Sequence, residues 1–266
     1  MGLEETNTRI RNKLSTLSGE LNLTIIYACE SGSRAWGFAS PDSDYDVRFL
    51  YVHPVAWYLK LHEDKDVIDV PIEHTPDGIL DLGGWDLRKT LRLVAKSNPV
   101  IWEWLQSPIR YQQAPFFDHE RFLQVIAPFY SPITACHHYL SICRNSMAKE
   151  WTGEQIKIKK YFYRLRPLLA AMWIENTRTV PPMELQPLIT MLANKPNIKQ
   201  EVLKLWQLKQ QTDEQIPINR IPMLDNFIVN ELDHLQTAAP LLPASKGNMD
   251  DLNQLFHAYL ELKEAN

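Results

Sequence analysis

An α+β fold, with a small mixed β-sheet and flanking helices followed by an all-helical region, is predicted by three features of the sequence. Strand-like runs are confined to the stretch between Leu23 and Trp85, and apolar residues recur at helical spacing in the segments after Tyr111. Between the two regimes lies "SPIRYQQAP", Ser107 to Pro115. A chain of 266 residues is long enough for two modest cores. The expected division is therefore an α/β domain over residues 1–110 and a helical domain over 111–266.

Taken in order, Glu4 to Leu21 places Ile10, Leu14, Leu17 and Leu21 on one face and predicts a first helix. "LTIIYAC" and "YDVRFLYV" predict two strands; "DVIDVPIEH" and "GILDLGGW" predict a third and a fourth, with "TPDG" turning between them. From Asp86 the period changes: Leu87, Leu91 and Val94 share one side, and Asp86 is placed to cap the helix start. "NPVIWEWLQSP" opens another helix with Pro99 at its first position and ends it before Pro108. Beyond Tyr111 almost no strand signal remains. Helices are predicted over Phe122–Phe129, Ile133–Trp151, Ile156–Asn176, Met183–Leu192, Lys199–Leu208, Leu224–Leu235 and Met249–Lys263, with Pro240–Gly247 as a surface connector.

Composition narrows the function classes. A formal charge of −4 supplies no overall basic field, so any contact with nucleic acid has to come from a local patch. Cys29, Cys136 and Cys143 form an odd set at no disulfide-framework spacing, which suits a reducing compartment. The charged start MGLEETNTRIRNKL lacks a signal-peptide apolar stretch, its Met1-Gly2 is a weak match to a myristoylation signal, and no segment approaches about 18 uninterrupted apolar residues. The expectation is a cytoplasmic protein that does not cross a membrane.

The chemistry concentrates in "ESGSRAWGFASPDSDYDVRFLYV", Glu30 to Val52. Residues two apart in a strand point to one face, so Asp44 and Asp46 would present two carboxylates about 7 Å apart along the backbone. Such a pair calls for a cation, and hard oxygen ligands suit Mg²⁺, which takes one or two carboxylates and completes its shell with water and phosphate. Gly32 allows close approach of the backbone to an anion, and Ser33 adds a hydroxyl at the start of a short helix running from Arg34 to Phe38. The spacing of Gly32 and Gly37 is that of a P-loop, but Phe38 and Ala39 stand where that motif requires Lys and Ser/Thr. Gly-Ser and Pro-Asp-Ser-Asp are each common turn compositions. The ordered set of strand, Gly-Ser, glycine, Ser-Asp-x-Asp and apolar strand is much the more informative signal.

That order resembles the DNA polymerase β-like nucleotidyltransferase superfamily, and within it the RNA-repair-pathway, or YcgL-like, predicted nucleotidyltransferases. The resemblance is carried by "ESGSRAWGFASPDSDYDVR", by "LDLGGWDLRKTLRL" with "SNPVIWEWLQSPIRY", and by "IKKYFYRLRPLLAAMWIE" ahead of "VPPMEL", and it covers about the first 190 residues. It implies a Mg²⁺- or Mn²⁺-dependent transferase in which a hydroxyl attacks the α-phosphorus of a nucleoside triphosphate such as ATP and pyrophosphate leaves. It also implies a third metal-binding carboxylate from a neighbouring strand. Asp81, mid-strand in "ILDLGGW", is the candidate; Asp86 reads as a helix cap, and Asp69 and Glu73 are further possibilities.

Negative charge gathered on a triphosphate calls for cations across the cleft. One set is Lys89, Arg92 and Lys96; another is Lys157, Lys160 and Arg164, with Arg166 beyond and Tyr161 and Tyr163 available to stack on a base. Lys89, Lys160 and Arg164 are the expected nucleotide contacts, beside Gly32 and Ser33. Cys136, His137, His138 and Cys143 lack zinc-finger spacing and read as core. The acceptor is open: an RNA end, as the family label implies, or a protein hydroxyl, as in AMPylation, or a small molecule. The competing class is a regulatory or antitoxin-like module that holds a nucleotide without turning it over.

Overall fold

The computed structural model describes residues 3–75, 78–148 and 153–264. Met1-Gly2, the Pro76-Asp77 centre of the expected turn and the Trp151 end of the expected Ile133–Trp151 helix lie outside them. The chain opens with α1 (Leu3–Glu20), β1 (Thr24–Glu30), the short α2 (Gly32–Ala35), β2 (Tyr45–Val52) and a single turn α3 (Val55–Tyr58). It continues through β3 (Val67–Asp69), β4 (Glu73–Thr75), β5 (Gly78–Asp86), α4 (Leu87–Ala95), α5 (Pro99–Leu105) and β6 (Arg110–Gln113). The second half comprises α6 (His119–Ile126), α7 (Pro132–Ala148), β7 (Gln155–Lys157), α8 (Ile158–Thr177), α9 (Leu185–Thr190), α10 (Pro196–Gln211), β8 (Pro217–Asn219), α11 (Pro222–Ala238) and α12 (Met249–Glu264).

The main sheet is mixed, in the order β3-β5-β2-β1-β6, with β4 also on β5. β1 runs antiparallel to both β2 and β6, whereas β2 and β5 are parallel and place Asp46 beside Asp81. This is the predicted fold class, with two local differences. "DVIDVPIEH" forms two short strands instead of one, both antiparallel to β5, because Pro71 has no N–H to offer the ladder. "SPIRYQQAP", read as a connector, contains β6, an edge strand whose four residues are too few to show a clear alternation. β7 and β8 add a second small sheet, also unannounced by the sequence.

Packing follows from strand alternation. Val47, Phe49 and Tyr51 face α1 and its Ile10 and Leu14, while Leu50 and Val52 face a second core built with α4, α5, α6 and α12. Asp46 and Arg48 share the Leu50 side of β2 and emerge at its open end. A third core, centred on α7, α8 and α11, takes in Phe38 from the loop before β2 and so ties the helices to that loop. Asp86 caps α4, accepting from the Arg88 N–H at 2.8 Å and from the Tyr58 hydroxyl at 2.6 Å, and is fully buried. Among the described residues no helix is long and apolar enough to cross a membrane.

Candidate active site

The Gly-Ser bend closes directly over β2. Gly32 has φ +59°, a left-handed conformation, and a Cβ there would lie 2.0 Å from Asp46 Oδ2. Ser31 donates its backbone N–H to the Asp46 carbonyl at 2.7 Å, so bend and strand are fastened at the residue that carries the second carboxylate. Asp44 stands one position ahead of the strand. Arg34 holds that segment: its guanidinium donates to the carbonyls of Asp44 (3.0 Å) and Ser43 (2.6 Å) and lies 3.8 Å over the Tyr45 ring.

Below the bend, Glu30 is fully buried at the end of β1. One carboxylate oxygen accepts the Asp46 backbone N–H at 2.7 Å, and the other accepts the Tyr111 hydroxyl from β6. Burial raises the Glu30 pKa to about 7, against the lowering effect of those two donors. Its position two residues ahead of Gly32 was visible in the sequence. Its two partners arrive from strands 16 and 81 positions away.

A cavity of about 320 Å³ opens at this point, lined by Ser31, Gly32, Ser33, Trp36, Asp44, Asp46, Arg48, Lys159, Tyr163 and Glu214. It brings together four of the expected residues, Gly32, Ser33, Asp44 and Asp46. Asp81 is paired with Asp46 across the parallel strands, but its carboxylate is engaged by Arg48, whose Nη2 lies 2.7 Å from Asp81 Oδ2 and 3.6 Å from Asp46 Oδ1. Lys89, Lys160 and Arg164 are not among the described residues that line the cavity. Lys89 pairs with Asp66 at 3.2 Å on the α4 side, and Arg164 is fully buried, donating to the Ser146 carbonyl at 3.2 Å.

Beside Arg48, the α8 cation that lines the cavity is Lys159, with Tyr163 one helical turn farther along. Lys159 pairs with Glu214 at 2.6 Å; burial pulls its pKa down, but Glu214 and Asp44 more than offset this and leave it raised. Both aspartates have raised pKa values, chiefly through burial. Glu214 adds to this at Asp44, and Asp81 and Asp44 add to it at Asp46, where Arg48 opposes the shift. Two partly desolvated carboxylates that repel one another are a donor set that a divalent cation would stabilise. Two carboxylates beside an open phosphate-sized space fit Mg²⁺ or Mn²⁺. Among the described residues no three His, Cys, Asp or Glu side chains are gathered as a metal-binding group.

The helical half completes the rim through the loop before β2. The Trp206 indole donates to the Gly37 carbonyl at 3.1 Å, and buried Lys209 donates to the Ser40 hydroxyl at 3.0 Å. Asp42 accepts the Glu214 backbone N–H at 3.0 Å, which places Glu214 next to Lys159. Ser31, Trp36, Arg48, Lys159 and Glu214 line the cavity and were not singled out by sequence reading. Lys159 and Lys160 are adjacent in one cationic run, and only the rotation of α8 distinguishes them.

The sequence matches the model of the RNA repair pathway DNA polymerase beta family over residues 6–258. It is 42% identical over 248 residues to the uncharacterized protein YcgL of Bacillus subtilis strain 168, covering 93% of this chain and 94% of that one. A solved nucleotidyltransferase-like protein from Exiguobacterium sibiricum 255-15 aligns with 88% of this chain and 74% of its own at 11% identity, with a TM-score of 0.32. The family match spans the bend, both aspartates, Asp81 and the helix that bears Lys159. The chain belongs to the RNA repair pathway DNA polymerase beta family, a nucleotidyltransferase-like family of the polymerase β type.

Proposed function

We propose that this protein is a divalent-metal-dependent nucleotidyltransferase that moves a nucleoside monophosphate from a nucleoside triphosphate to a hydroxyl acceptor, an RNA end being the acceptor the family name favours. The observation that carries this reading is the single cavity in which Gly32 and Ser33 face Asp44 and Asp46, with Lys159 opposite. Asp44 and Asp46 would hold Mg²⁺ or Mn²⁺, with Asp81 as a third carboxylate once released from Arg48. The metal would neutralise phosphate oxygens and lower the pKa of the attacking hydroxyl.

The chain's own groups have separate tasks. The bend admits the phosphates close to the backbone, and Ser33 supplies a hydroxyl to them. Lys159, kept charged by Glu214, faces the charge that builds on the leaving pyrophosphate. The acceptor oxygen bonds to the α-phosphorus as the bond to the bridging oxygen breaks, and a carboxylate of the aspartate set takes the acceptor's proton. Glu30 is a positioning residue: it fixes the Asp46 backbone and touches neither nucleotide nor acceptor.

The Arg48 to Asp81 pair favours one competing reading, in which the guanidinium permanently replaces a cation and the protein binds a nucleotide without turnover. Incubation with each α-labelled triphosphate, Mg²⁺ or Mn²⁺, RNA and cell protein separates the two. Label should move to an acceptor and should cease in Asp44→Ala and Asp46→Ala. Transfer that survives both substitutions would refute the site, and tight nucleotide binding with no transfer to any acceptor would establish the binding module.

A further inference from the structure

A second, smaller cavity of about 110 Å³ adjoins the first and shares Trp36 and Tyr163 with it. Its walls come from α5, α7 and α8 and include Phe162, Ile142, Glu103 and Pro167. The two cavities differ in chemistry. The first is lined by carboxylates, cations and the Gly-Ser bend; the second is aromatic and aliphatic with a few polar groups. A closed apolar cavity of roughly 150 Å³ takes up a benzene ring, so a slot of this order, adjoining the larger space, suits a flat heteroaromatic ring.

Its polar groups are specific. Glu103 accepts from Arg166 at 2.8 Å and from the Tyr139 hydroxyl at 2.5 Å, which leaves further lone-pair capacity on its carboxylate. Pro167, inside α8, has no N–H to give the Tyr163 carbonyl one turn earlier, so a backbone acceptor without its helical donor stands beside the slot that both residues line. Two acceptors at the slot match a ring that carries an exocyclic amine.

We propose that this slot is the nucleobase subsite, taking a base with an exocyclic amine between Trp36 and Tyr163 while the triphosphate occupies the adjoining cavity. This deepens the functional reading above and rests on it. It assigns the base to the junction of α5, α7 and α8 and leaves the β-sheet side to the phosphates and the acceptor. Ile142 lines this slot and not the cavity that holds the aspartates, and at 42% exposure it tolerates a larger side chain without burying it wholesale.

The test is equilibrium binding of ATP, UTP and inorganic tripolyphosphate, with Mg²⁺, to the full chain and to Ile142→Trp. We expect the substitution to weaken ATP at least tenfold and to leave tripolyphosphate unchanged, and the unaltered chain to bind UTP several-fold more weakly than ATP. ATP and tripolyphosphate both bound by Ile142→Trp as by the unaltered chain would overturn the slot assignment, and UTP bound as tightly as ATP would overturn the amine preference. On the unaltered chain, 2-aminopurine riboside triphosphate should lose emission on binding because its base stacks on the two rings; full emission in the bound state would also overturn the assignment. Failure of tripolyphosphate to bind the unaltered chain strikes the phosphate cavity itself, so it identifies a failure of the parent reading and not of the slot alone.

Discussion

Glu30 should make the stability of this protein fall as pH rises through neutrality. Its side chain is fully buried, and its pKa stands at about 7 in the folded chain against 4.5 for the unperturbed group. A carboxyl whose folded pKa is raised binds its proton more tightly in the native state. The stabilisation this brings is fully present below the unfolded pKa and is lost as pH climbs through the folded one. The difference is 7 − 4.5, or about 2.5 pH units, and at 1.36 kcal/mol per unit it amounts to roughly 3 kcal/mol between pH 4 and pH 8. Glu30→Gln removes the titration while keeping an oxygen to accept the Asp46 N–H. Urea unfolding of both proteins at closely spaced pH, with chelator present, isolates the effect, because Asp44, Asp46 and the other groups titrate in each. The stability difference between the two should change by about 3 kcal/mol across that window, the unaltered chain losing ground at the alkaline end. A difference that stays flat would refute the assignment of the shift to burial at this position.

Other perturbations probe separate parts of the site. Gly32→Ala introduces a Cβ 2.0 Å from Asp46 Oδ2 at φ +59°; a loss of about 1–3 kcal/mol in urea unfolding is expected from the backbone alone, with Mn²⁺ binding by electron paramagnetic resonance reduced further. Lys159→Met should weaken tripolyphosphate binding, read by calorimetry, by roughly 10- to 100-fold, the worth of a charge-assisted hydrogen bond, whereas Lys160→Met should leave it nearly unchanged. Arg48→Met frees Asp81 and Asp46 from a guanidinium at 2.7 and 3.6 Å; Mn²⁺ should bind several-fold more tightly, and equal or weaker binding would show that Arg48 does not compete with the metal. Glu103→Leu strands the buried Arg166 guanidinium now 2.8 Å from the carboxylate, with an expected loss of about 3–5 kcal/mol that adding Arg166→Met should largely restore.

The parts of the fold that depend on near neighbours were legible in the sequence. Strand alternation marked "YDVRFLYV" as β2 to the residue, helical periodicity marked the helices from α6 to α12, and Asp86 before Leu87 marked a cap, because sterics and short-range hydrogen bonds act over a few residues. Elements too short to build a period escaped: β6, β7 and β8 have three or four residues each and exist through their partners. Pro71, readable as a strand interruption, divided the third strand.

What the sequence by itself determined about the site is its chemical inventory: a bend that only glycine makes easily, a serine hydroxyl, and two aspartates two residues apart. Tertiary structure decided how that inventory is arranged. Parallel register between β2 and β5 set Asp81 beside Asp46 and let Arg48 reach both. The rotation of α8 turned Lys159 and Tyr163 toward the cavity and sent Arg164 into the core. Register and helix rotation are chosen by the packing of whole faces against distant partners, so two neighbouring lysines that local chemistry cannot tell apart end on different sides of a helix.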